Sequence, residues 1–152
     1  MCLSVAMNMP EMLEESAKRE GYEYHIAANP FSGARCGYVK LEPGHPWRTA
    51  VLAEEAKEDG HRGYNEIDCS VHGGLTFGEP DVNCDKDGPD DGYWVGFDCN
   101  HHNDRPDPAI LTEDGKVRRL FEFQQGTVRT QDYVRAEIFS LISQAKEAQV
   151  NA

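Results

Sequence analysis

Apolar residues recur at helical spacing in the last quarter of the chain. Val134, Ile138, Leu141, Ile142 and Ala145 fall at i, i+4, i+7, i+8 and i+11, which predicts an amphipathic helix over residues 130–149 with Thr130 as its N-cap. Further upstream the pattern shortens to alternation. Tyr22–Ala28 reads as a strand, and Cys36–Glu42 as a second, with Val39 and Leu41 on one face and Tyr38, Lys40 and Glu42 on the other. Glu66–His72 is a predicted third strand with Ile67, Cys69 and Val71 inward, bent at Gly73–Gly74 and continued by Leu75–Phe77. Tyr93–Cys99 is the fourth, with Tyr93, Val95, Phe97 and Cys99 alternating with Trp94, Gly96 and Asp98. Arg118–Phe123 adds a short fifth.

Two further helices are expected. Residues 8–21 place Pro10 and three glutamates early, Lys18 and Arg19 late, and Gly21 as a stop. Residues 50–58 favour a helix by propensity, with Thr49 as cap. The whole reads as one α+β domain over residues 1–152: an N-terminal helical extension (1–21), a sheet region (22–123) and a C-terminal helix (130–149). The sheet is antiparallel or mixed, of about four to five strands, with the last helix packed on one face.

Composition narrows the class. With 27 acidic residues against 15 Lys and Arg, the chain carries a formal net charge of −12, which argues against direct DNA or RNA binding. No run of 18 apolar residues exists, so no membrane helix is expected. The charge is uneven: residues 79–107 hold nine acidic and two basic side chains. The five cysteines (2, 36, 69, 84 and 99) are odd in number and lack C-x-x-C spacing. The short apolar start has no basic n-region. Both features fit a reduced, cytoplasmic protein whose cysteines are mostly small core residues; a zinc site using Cys69 or Cys99 is the sharper alternative.

Unusual polar residues gather at two strand ends: Val71-His72-Gly-Gly-Leu-Thr76, and Asp98-Cys-Asn-His101-His-Asn-Asp104. If these strands pair, His72 and Asp98 share a face and His101 and Asp104 lie just beyond. Imidazoles and carboxylates so grouped are suitable ligands for a divalent metal such as Zn or Mn. Without metal, a His–Asp pair can act as a base and its orienting partner. The bland reading is that the Asp and Asn side chains cap turns. In the acidic loop, Asn83, Asp85, Asp87, Gly88 and Asp91 match part of a calcium loop, but Trp94 stands where the bidentate Glu belongs. Pro43-Gly-His45-Pro-Trp47 is a stiff loop, and Trp47 and Trp94 offer stacking surfaces for a planar ligand.

Cys36-Gly-Tyr-Val, Gly44-His-Pro, Val71-His-Gly-Gly-Leu-Thr-Phe, Trp94-Val-Gly-Phe-Asp-Cys-Asn-His with Asp104, and the helix start Arg129-Thr-Gln-Asp-Tyr-Val-Arg-Ala-Glu occur in this order. The set resembles a family of small uncharacterised proteins of tailed bacteriophages and prophages. The resemblance spans about residues 22–147. It implies a source, the cytoplasm of an infected bacterium, and no mechanism. His72, Asp98, Cys99, His101 and Asp104 fall on its motif positions; His102 departs, where a small residue is usual.

The leading expectation is an accessory protein that binds a small ligand, such as a nucleotide or phosphorylated host metabolite, in counter-defence or host modulation. Its ligand-binding candidates are His72, Asp98, His101, Asp104, His45, Trp47 and Trp94. A metal-dependent hydrolase using the His/Asp cluster is the second reading. An acidic inhibitor that binds a host protein or mimics nucleic acid through Asp85, Asp87, Asp90 and Asp91 is the third.

Overall fold

A computed structural model describes residues 13–80, 92–119 and 126–152. The first described strand, β1 (Leu13–Arg19), turns at Glu20–Gly21 into β2 (Tyr22–Ala28), with Arg19 opposite Tyr22. Both turn residues have positive φ, 50° and 87°. This is the geometry that lets a two-residue loop follow the twist of paired strands. The expected helix over residues 8–21 is therefore corrected from Leu13 onward, and residues 8–12 lie outside the described part. The charges that read as complements to a helix dipole find tertiary partners instead. Glu14 pairs with Arg35, Glu15 with Arg135, and the Arg19 guanidinium sits 3.9 Å from the centroid of the Phe139 ring. Helix propensity is a weak preference that such packing overrides.

β3 (Arg35–Leu41) follows a turn in which the Asn29 carboxamide oxygen accepts from the Phe31 and Ser32 amides. β4 (Phe77–Pro80) and β5 (Tyr93–Asp98) complete an antiparallel sheet of order β1-β2-β3-β5-β4. A separate parallel pair joins β6 (Asp104–Arg105) to β7 (Thr127–Val128). The helices are α1 (Pro46–Glu55), α2 (Glu113–Arg119) and α3 (Gln131–Val150). The class is α+β, as the periodicities imply. Among the described residues no helix is long and apolar enough to cross a membrane.

α3 lies on one face of the sheet. All five stripe residues are fully buried, against Tyr24, Ile26, Val39, Leu41, Val95 and Phe97 among others. The four larger ones, Val134, Ile138, Leu141 and Ile142, each contribute about 1.5–3 kcal/mol by leaving water. Gly37 sets the closest approach: a Cβ there would stand 2.6 Å from the Phe97 ring and 2.9 Å from Ile138. The opposite face is also buried at Ala27, Tyr38 and Trp94. β2, β3 and β5 are thus covered on both sides, and their sequences mix apolar and polar positions less cleanly than one-sided strands do.

Three further expectations change. Residues 66–72 form no strand. A 3-10 turn at Gly63–Glu66 leads into irregular backbone, although Ile67, Cys69 and Val71 still point to the core. The Gln144 side chain supplies what a neighbouring strand would: its amide donates to the Ser70 carbonyl and its oxygen accepts from the Ser70 N–H, both at 2.7 Å. α1 starts at Pro46, not at residue 50, because the His45 imidazole caps it by accepting from the Trp47 amide. Residues 118 and 119 belong to α2, not to a strand; Thr112 Oγ1 accepts from the Gly115 amide at its start. Residues 120–123 lie outside the described part, as does most of the calcium-like loop.

Candidate functional site

Three stretches meet beyond the end of β5: the Gly73–Gly74 turn, residues 98–104, and the entry to α3. His72 is held at both ring nitrogens. Nε2 is 2.8 Å from Asp104 Oδ2 and Nδ1 is 2.8 Å from the Tyr133 hydroxyl. Asp104 also accepts from the His101 amide on Oδ2 and from Arg129 Nε on Oδ1, at 3.0 and 2.8 Å. Burial alone would push the Asp104 carboxyl up. The hydrogen bonds from His72 and Arg129 outweigh it and hold the group below the usual carboxylate range. An ionised Asp104 favours the tautomer in which Nε2 carries the proton, leaving Nδ1 to accept from the phenol.

A second pair adjoins the first. The His101 ring lies 3.4 Å from Asp98, which also accepts from the Thr76 hydroxyl and the Asn100 amide. The two imidazoles are 5.8 Å apart. Gly73 allows this contact. Its φ is +69°, and a Cβ there would run into the His101 ring. Neighbouring charges are matched as well: Arg35 binds Asp107, Glu14 and the backbone carbonyl of Arg129.

The structure thus brings His72, His101 and Asp104 together, with Asp98 attached through His101. Of the two carboxylates, Asp104 faces His72 and Asp98 faces His101. The four do not form a metal-ligand set. Both nitrogens of His72 are engaged, and among the described residues no group of three His, Cys, Asp or Glu side chains could hold a metal ion. Cys99 is buried, and burial pushes its thiol up to about 12, while Cys69 is raised by the same cause.

The remaining candidates are buried and stand apart from this cluster. Trp94 is 1% exposed and stacks on His25, and Trp47 is buried in α1. His45 is buried with Nε2 on the Ala145 carbonyl. The described clefts lie elsewhere. One of about 250 Å³ is bordered by Tyr22, Glu42, His45 and Gln149, and one of about 310 Å³ by Trp47, Asp68, Gln144 and Glu147. Sequence reasoning missed Arg129 and Tyr133. Arg129 lies just before the N-cap of α3 and Tyr133 in its first turn, and the guanidinium lies 4.8 Å from the Tyr133 ring centroid. No local pattern in the sequence marks the two as partners of His72 and Asp104.

The chain matches no family profile, no curated protein and no solved structure.

Proposed function

We propose that the protein binds a small phosphorylated ligand, a nucleotide or related metabolite, at the open surface around Arg129, His101 and Tyr133. One observation carries the reading. Arg129 holds Asp104 through Nε alone, and its two terminal amino groups make no hydrogen bond among the described residues. A guanidinium fixed at one nitrogen, with both amino groups unbonded among the described residues, is a pre-set fork for a phosphate. The exposed His101 ring, 5.8 Å from that of His72, is a second polar group at the same cluster.

The local excess of acidic residues weighs less than its count implies, because Asp104 and Asp107 are each tied to an arginine. With Trp94 buried and Trp47 bordering a different cleft, recognition at this surface rests on the phosphate and not on a stacked base. The resemblance to small uncharacterised phage and prophage proteins suggests a setting: capture or alteration of a phosphorylated host signal in an infected cell.

Thermal-shift measurements with inorganic phosphate, sugar phosphates and nucleotides test the reading. At least one of them raises Tm in the wild type and not in Arg129→Gln. A flat response across the panel, or an equal shift in the variant, refutes it.

A further inference from the structure

We infer that Tyr133 is a nucleophile served by His72 as general base, so that the site transfers a phosphoryl group to the phenol as well as binding it. The inference deepens the phosphate-binding reading and rests on it for substrate access. Its core is the chain of contacts Asp104–His72–Tyr133, 2.8 Å at each link. A carboxylate fixes one nitrogen of the imidazole, and the other nitrogen meets a hydroxyl, which is the arrangement that activates weak oxygen nucleophiles. Here the carboxylate uses Nε2 and the hydroxyl Nδ1, the reverse of the serine-hydrolase assignment, but the division of roles is unchanged.

The carboxylate is itself pinned by Arg129 and the His101 amide, so the base cannot swing away. The Tyr133 side chain is half-buried, between that base and the Arg129 guanidinium. Burial raises the Tyr133 pKa, Glu137 adds to the effect and Arg129 opposes it. The resting group is therefore a phenol, and its proton must leave during attack. His72 Nδ1 is placed to take it.

The step balances as follows. Tyr133 Oη attacks phosphorus, the bond from phosphorus to the leaving group breaks, and the leaving group departs with the electron pair. The phenolic proton passes to Nδ1, giving an imidazolium opposite Asp104, which later returns the proton to solvent. The Arg129 amino groups face the charge that develops on the phosphoryl oxygens. The product is a tyrosyl phosphoester on Tyr133.

Diisopropyl fluorophosphate, which carries fluoride as leaving group, tests this on the intact protein. Peptide mass mapping follows labelling at Tyr133 and at half-buried Tyr64, an internal reference that needs no variant. Tyr133 is expected to label about a hundredfold faster, the lower end of what a positioned general base contributes. His72→Gln, checked for fold by circular dichroism, lowers the Tyr133 rate towards that of Tyr64. Comparable rates at the two tyrosines in the wild type, or an unchanged Tyr133 rate in His72→Gln, overturn the inference. Labelling without any phosphate-dependent thermal shift would leave the nucleophile standing and refute the binding reading; a thermal shift without labelling would do the opposite.

Discussion

Replacing Asp104 by asparagine keeps the size of the side chain on which the cluster converges and removes its charge. The carboxylate is 2% exposed and accepts three hydrogen bonds, two on Oδ2 and one on Oδ1. An amide has one acceptor oxygen. If it takes the Oδ2 position, the NH2 group faces the Arg129 Nε–H. If it takes the Oδ1 position, the NH2 group faces the His101 N–H. Either way a donor meets a donor, and Arg129 loses its counter-ion. Breaking a buried ion pair from one side costs about 3–5 kcal/mol. Arg129 is 21% exposed and can turn to water, so a loss of about 2–3 kcal/mol is expected after that relief. For a chain of this length this corresponds to a fall in Tm of about 5–10 °C. Scanning calorimetry measures it, with Asp98→Asn as comparison. Asp98 is 31% exposed, and its loss is expected below about 1 kcal/mol. Equal melting of Asp104→Asn and wild type, or a larger loss for Asp98→Asn, would refute the view that Asp104 is the keystone.

Two further outcomes follow from the geometry. Gly73→Ala carries both a left-handed backbone cost of about 1–2 kcal/mol and a collision with His101, whereas Gly74→Ala, at φ +79° with no atom within 4 Å of the added Cβ, carries only the first; urea titration should rank Gly73→Ala as the less stable, and equal midpoints would contradict the close packing of the two loops. His45 has its pKa lowered by burial, against the hydrogen bond to Ala145, so the unfolded chain takes up its proton first on acidification: stability is complete above about pH 6.5 and falls below it. His45→Asn keeps a cap acceptor without the titration and should flatten that slope between about pH 7 and 5; an unchanged slope by denaturant titration would assign it to other groups.

The C-terminal helix was legible from its stripe of one buried face, and β2, β3 and β5 from short runs rich in β-branched and aromatic residues bounded by turn residues, although both of their faces are buried. Residues 13–21 misled because Glu14, Glu15 and Arg19 suit a helix terminus equally well, and only their distant partners Arg35, Arg135 and Phe139 decide between the two. Residues 66–72 kept strand-like alternation without a ladder, since a helix glutamine occupies the place of the neighbouring strand. Of the site, His72, His101 and Asp104 stood out as polar residues beside glycines and turns. Arg129 and Tyr133 did not, because they look like ordinary residues at a helix entrance until the fold delivers His72 and Asp104 to them.

That delivery makes the site an indicator of the whole fold. His72 lies 32 positions from Asp104 and 61 from Tyr133, so the three meet only when two long loops are closed at once. Fraying of the first turn of α3 would open both the Tyr133 and the Arg129 links while leaving the sheet intact. Hydrogen-exchange protection at that turn and competence of the site therefore share one opening equilibrium. A phosphate held by the Arg129 guanidinium would draw that equilibrium toward the closed form, by an amount set by its concentration relative to Kd.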